Sequence, residues 1–209
     1  MICVPIKTKA LQSLLGHINK ANELADVIEI WFDELKLDED KAGKILKSAK
    51  KPLLYKYMGN QSNLKILLSH KIKYIDLDLS ESAKLIKDIK KHSPQTQIIL
   101  SHHDFEVTPS KAEMRKIVRK MKNKGADIVK LATTAKSFQD ALNMLSLLEE
   151  ITQKGIKAIC LCMGRQGVLT RATGHLFGNY LMYAPINTSN KTASGQITAE
   201  KLKEIRNLI

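Results

Sequence analysis

A lysine interrupts an otherwise apolar run, Ala126-Asp127-Ile128-Val129-Lys130-Leu131-Ala132, and one repeat earlier the chain reads Ser101-His102-His103-Asp104-Phe105. Burying an ammonium group among Ile, Val, Leu and Ala is costly, so a lysine placed this way is expected to lose its proton easily. The free amine is a nucleophile toward a carbonyl carbon and forms an imine with it. A nearby histidine is the residue type suited to the proton transfers that such chemistry needs. Lys130 and His103 are therefore the first candidates for catalytic groups.

For these two side chains to meet, the segments carrying them must be neighbours in space. Apolar, β-branched runs recur at 2–6, 26–31, 52–57, 73–79, 97–101, 126–132, 155–163 and 179–184. Between them lie stretches with helical spacing, such as Met114, Ile117, Val118 and Met121, then Ala141, Met144, Leu145, Leu148 and Ile151. Successive runs begin roughly 21 to 30 residues apart, the repeat of a strand-helix unit. Eight such units predict an α/β chain folded as a (β/α)8 TIM barrel, one domain over 1–209 with 198–209 as its closing helix. An open doubly wound sheet more often stops at fewer strands.

A barrel gathers functional residues at the carboxyl ends of its strands. His103 follows the fifth run, Lys130 lies near the end of the sixth, Glu29 near the end of the second, Arg171 after the seventh and Gln196 after the eighth. Neighbouring strands are about 4.8 Å apart, which puts His103 and Lys130 within reach of one small ligand.

Composition narrows the classes. The apolar runs fall short of a membrane span, and the first one starts directly after Met1, so neither a membrane segment nor a signal peptide is expected and a cytoplasmic location is. Three cysteines cannot all pair, and Cys160 and Cys162 lie on one side of a strand without histidines at ligand spacing, so reduced thiols and no metal site are expected. The net charge of +13 invites a nucleic-acid reading. Its lysines are spread over several helices without interleaved aromatics, which reads better as a solvated surface that also attracts anionic substrates.

With these residues in place, the chain resembles the type I 3-dehydroquinate dehydratases nearly end to end. The likeness rests on Val27-Ile28-Glu29-Ile30-Trp31-Phe32-Asp33 for E-W-R-x-D, Pro52-Leu53-Leu54, Tyr74-Ile75-Asp76-Leu77-Asp78-Leu79, and Ser101-His102-His103-Asp104-Phe105 for S-x-H-D-F. It continues with Asp127-Ile128-Val129-Lys130-Leu131-Ala132 for D-I-x-K-I-A, 163–171 for M-x-x-x-G-x-x-S-R, and Ala193-Ser194-Gly195-Gln196 for A-P-G-Q. The resemblance implies that Lys130 forms an imine with the ketone of 3-dehydroquinate and that His103 moves the protons, without metal or organic cofactor. It also implies that Arg171 binds the substrate carboxylate, that Gln196 and Thr192 close over the substrate, and that Glu29 accepts hydrogen bonds from ring hydroxyls. A homodimer is the expected assembly.

The pattern breaks at several positions. Trp31 and Met58 stand where two arginines are expected, and Lys56, on the same strand face as Met58, is expected to restore one positive charge. The glutamate that supports the histidine lacks a counterpart in Gly59-Asn60-Gln61-Ser62-Asn63, which makes Asp78 the candidate to orient His103. Ser194 replaces a proline and is expected to loosen its loop. Two alternatives keep different parts of this reading: a Schiff-base aldolase or dehydratase for a related keto acid, and a noncatalytic basic barrel that binds RNA or another anionic partner.

Overall fold

The computed structural model describes residues 1–208 and forms a nearly closed barrel of eight parallel strands in the order β7-β6-β5-β4-β3-β2-β1-β8. The strands are β1 (Ile2–Ile6), β2 (Val27–Ile30), β3 (Leu53–Lys56), β4 (Tyr74–Asp78), β5 (Gln97–His103), β6 (Ile128–Thr134), β7 (Ala158–Met163) and β8 (Met182–Tyr183). Eight helices follow them in turn: α1 (Leu11–Leu24), α2 (Glu39–Ser48), α3 (Gln61–Ser69), α4 (Ala83–His92), α5 (Lys111–Asn123), α6 (Phe138–Gln153), α7 (Val168–Thr173) and α8 (Ala199–Leu208). The expected TIM barrel is the architecture found. The expected end of the closing helix at Ile209 lies outside the described residues.

The strands read as continuous apolar runs because both faces are covered. Period-two alternation then sorts the side chains. Ile98, Leu100, Val129 and Leu131 point outward and pack with Met114, Val118, Met144 and Leu148 of the helices. Ile99, Ile128, Leu54, Tyr74 and Ile159 point inward and fill the barrel. Capping boxes at Ser110 with Glu113 and Ser137 with Asp140 start α5 and α6, fixing the exits from the two strands that carry His103 and Lys130.

Most strand ends differ by a residue or more from the sequence reading, and those of β5, β6 and β7 bear on the site. β5 continues to His103, so the histidine ends the strand instead of following it, and β6 runs on through Thr134, so Lys130 sits in the body of its strand. His103 pairs in register with Ala132, and the amide of Asp104 still donates to Ala132 O. β7 starts at Ala158, because the preceding residues form the turn out of α6, with Ile156 N donating to Ile151 O.

β8 is only two residues long, where six residues were expected. The reason is local: the Asn179 side chain takes a ladder position, its Oδ1 accepting from Cys160 N at 2.8 Å, while Tyr180 N donates to Ala158 O at 2.7 Å. These two bonds join β7 to the segment before β8. Among the described residues no helix is long and apolar enough to cross a membrane.

Candidate active site

At the carboxyl ends of the strands lies a cavity of about 530 Å³ whose lining includes Lys130, His103, Glu29, Lys56, Arg171, Thr192, Gln196 and Asp78. All eight residues singled out from the sequence thus reach one space. They come from seven different βα units, so only closure of the barrel assembles them.

Lys130 points into the barrel at the level of Ser101 and Ile159, its strand partners. Its ammonium lies 2.7 Å from Asp76 Oδ2 and 3.1 Å from the Tyr183 hydroxyl, and stacks 4.2 Å from the Tyr183 ring centroid. The expectation of an easily lost proton is overturned for the ligand-free protein. Burial does pull the lysine down, but the charges of Asp76 and Glu29 outweigh it and hold Lys130 above the ordinary lysine range. Burial likewise works against the Asp76 carboxylate, and Lys130 and Lys56 together hold it well below the usual carboxylate range.

Asp76 is the residue that sequence reasoning missed. It is fully buried and accepts from Lys130 on one oxygen, and from Lys56 (3.0 Å) and Ser101 Oγ (2.6 Å) on the other. A signal was present: Tyr74, Asp76 and Asp78 share one strand face, and the middle position is the one that cannot reach solvent.

Asp78, the sequence candidate for orienting His103, spends one oxygen on Ser80, accepting from its amide at 2.8 Å and its hydroxyl at 2.6 Å. It acts on the imidazole through charge, without a hydrogen bond to it among the described residues. The His103 ring stacks on Phe105, with centroids 6.1 Å apart and planes 12° apart. Burial first, then the positive charges of Lys130 and Lys56, push His103 down to about 3. The imidazole is therefore neutral at pH 7 and able to accept a proton.

The opposite wall is arranged differently. Arg171 is only 4% exposed, its Nε has no hydrogen-bond partner among the described residues, and burial pushes it down to about 10. Helix α7 carries it there through a close approach to β7. A Cβ at Gly167 would lie 2.5 Å from the Cys162 carbonyl, and Thr170 Oγ1 accepts from Cys162 N at 2.8 Å. Glu29 accepts from the Trp31 indole at 3.0 Å through Oε1, while its buried Oε2 has no partner among the described residues. Trp31, one of the two residues standing in for arginine, thus supplies a neutral donor, and Lys7 places its ammonium 4.4 Å from the indole centroid. Met58, the other, lies at the mouth with 57% exposure.

Over this wall folds the loop before α8. Gln196 Oε1 accepts from the amides of Thr192 (2.8 Å) and Ala193 (3.2 Å), and its Nε2 donates to Thr192 Oγ1 (3.1 Å), so these residues fix each other. Ser194 does not loosen the loop, because its hydroxyl accepts from Gly164 N at 3.1 Å and ties the loop to the end of β7. Gly195 is required beside it: its φ is +76°, and a Cβ would lie 2.5 Å from Gly164 O.

A buried lysine and a neutral imidazole on adjacent strands, with a buried guanidinium lining the same cavity, suit carbonyl chemistry on an anion. Among the described residues, no group of three or more His, Cys, Asp or Glu side chains is placed to hold a metal ion. Comparison with known proteins points the same way. A 3-dehydroquinate dehydratase of Methanocaldococcus jannaschii is 34% identical over all of this chain and 99% of that protein. The bifunctional 3-dehydroquinate dehydratase/shikimate dehydrogenase of Arabidopsis thaliana is 31% identical over 99% of this chain and 37% of its own length. A crystal structure of 3-dehydroquinate dehydratase from Geobacillus kaustophilus superposes with a TM-score of 0.87 at 23% identity, covering 99% of this chain and 90% of that one. The family model for type I 3-dehydroquinase matches residues 2–209, and the chain belongs to that family.

Proposed function

We propose that the chain converts 3-dehydroquinate to 3-dehydroshikimate and water through an imine on Lys130. In this reading the Lys130 nitrogen adds to the C3 ketone, and loss of that oxygen as water leaves a protonated imine. The imine withdraws electrons from the C2–H bond. His103 takes the C2 proton, the electron pair forms the new C1–C2 double bond, and the C1–O bond breaks as His103 returns a proton to the leaving hydroxyl. Hydrolysis of the imine then releases product and Lys130. No cofactor enters the scheme.

The observation that carries this reading is a buried lysine and a neutral histidine on adjacent strands, both lining one cavity. Support for substrate recognition comes from Arg171, a buried cation with an unfilled donor suited to a carboxylate, and from Glu29, with an unfilled acceptor oxygen suited to a hydroxyl. Gln196 and Thr192 would roof the substrate, with Lys56 and Asp78 along the β3–β4 wall.

Borohydride quenching of the protein with 3-dehydroquinate should add a reduced adduct to the Lys130 peptide while ultraviolet absorbance records enone growth. Lys130→Ala should lose both signals, with turnover down by roughly four orders of magnitude or more. Full activity in Lys130→Ala would overturn the mechanism. An adduct without enone growth in the unaltered protein would assign a different keto substrate.

We also place the enzyme in the cytoplasm as a homodimer. Three buried, unpaired thiols support the first, and the exposed Phe138 and Leu142, one turn apart on α6, support the second. Cell fractionation and a sedimentation mass are the respective checks; recovery outside the cytoplasm, or a single-chain mass, would remove each.

A further inference from the structure

Lys56 was expected to restore a charge for substrate binding, yet its ammonium is turned inward. It lies 3.0 Å from Asp76 Oδ1 and 3.3 Å from Ser101 Oγ, with its side chain 13% exposed. Lys130 occupies the other oxygen of the same carboxylate at 2.7 Å. One fully buried carboxylate therefore faces two ammonium groups, one on each oxygen, with the Ser101 hydroxyl as a further donor. We propose that Lys56 is a positioning residue for imine formation: by sharing Asp76 with Lys130, it keeps that carboxylate anchored while Lys130 gives up its proton and turns to the substrate carbonyl.

The physical reason lies in what each step does to Asp76. To become a nucleophile, Lys130 must break one N–H bond, the electron pair staying on nitrogen and the proton passing to water. That pair then forms the bond to the carbonyl carbon, and the π pair of the carbonyl moves to its oxygen. A carboxylate opposed by a single ammonium resists the first step, because its field favours the charged lysine. A second cation on its other oxygen divides that field and repels the charge on Lys130. Once Lys130 has turned away, an isolated buried carboxylate would be strongly disfavoured; Lys56 and Ser101 remain on Asp76 and prevent this.

The charged and titratable groups around Lys130 are Asp76 from β4, Lys56 from β3, Glu29 from β2, Cys3 from β1, Tyr183 from β8 and His103 from β5. β7 offers the aliphatic Ile159 at that level. Lys56 is the cation among them that touches the Asp76 carboxylate besides Lys130 itself.

The inference rests on the imine reading of the site, but its test does not need substrate. Lys56→Met and Lys56→Gln remove the charge, and Lys56→Arg retains it; Gln keeps the test available if Met does not fold. In the ligand-free proteins, labelling of Lys130 by an amine-reactive acylating reagent at neutral pH, read by mass spectrometry, measures its free-amine fraction. Met and Gln should lower that labelling about tenfold, equivalent to one unit of lysine pKa. They should also move the His103 titration, followed by NMR, upward. Arg should restore both signals, and in turnover Met and Gln should lower kcat more than they raise KM. Unchanged labelling and His103 titration would overturn the proposal. So would a rise in KM alone, which would make Lys56 a substrate contact. Failure of the imine reading is seen separately, as absence of a borohydride adduct in the unaltered protein.

Discussion

On the β3–β6 side of the cavity, Lys130, Lys56 and Ser101 all converge on Asp76, and each of its oxygens is occupied. Across the cavity, Arg171 and Glu29 are buried as deeply, yet Arg171 Nε and Glu29 Oε2 lack partners among the described residues. Both walls bury charge, and burial of charge is tolerated only with compensation. The first wall finds it within the protein, which fixes Lys130 before any ligand arrives. In the proposed reading the second wall finds it in the substrate, and the contrast separates residues that react from residues that bind.

The largest effect should come from the reacting wall. His103→Ala should lower kcat by roughly 10²- to 10⁴-fold while a borohydride adduct still forms on Lys130; a loss of the adduct would show that His103 is needed before the imine exists. The same residue gives a pH signature. An unfolded imidazole titrates near 6.5, whereas His103 is pushed down to about 3, so over this window the unfolded chain binds a proton that the folded protein refuses. Its contribution to stability is therefore lost as pH falls from about 6.5 toward 3. NMR should find the ring neutral at pH 5, and a midpoint near 6.5 would remove the claimed influence of burial and the two lysines.

Asp76→Asn should come next, destabilising the protein by roughly 3–5 kcal/mol in urea denaturation, because two ammonium groups lose their shared counter-charge. A loss below about 1 kcal/mol would mean that the network is not the internal compensation described. The binding wall should respond in the opposite sense. Arg171→Met should raise KM by about tenfold or more, as expected for a lost charged hydrogen bond, with stability unchanged or slightly improved. If Arg171→Met instead unfolds the protein at unchanged KM, the distinction between the walls fails.

Much of the fold was legible, because each strand repeats the same apolar signal and the spacing between strands has a narrow physical range. Lys130 was legible for the same reason, being a polar group where the pattern demands an apolar one, and His103 was found from its place just past the fifth run. What the sequence could not supply was vertical position inside the barrel. Register between strands is set by their stagger around the closed sheet, and only that stagger puts Asp76 and Lys56 level with Lys130. Without it, the carboxylate at the strand end, Asp78, looked better placed than the one below it. The protonation state of Lys130 was misread for the same cause, since burial was visible and its partner was not. Ser194 was misread for a different one: a hydroxyl gives an anchoring hydrogen bond that a comparison with proline does not suggest.

The two-residue strand β8 also says how the molecule should breathe. Backbone amides open most readily where ladders are short, and the seam between β7 and β8 rests on one side-chain bond from Asn179 and one amide bond from Tyr180. Arg171 and the loop holding Thr192 and Gln196 lie beside that seam, whereas Lys130 and His103 belong to the seven-residue strands β5 and β6. In a hydrogen-exchange experiment the binding wall should therefore take up deuterium well before the reacting wall. Local opening at this seam should then leave the strands that carry Lys130 and His103 in register.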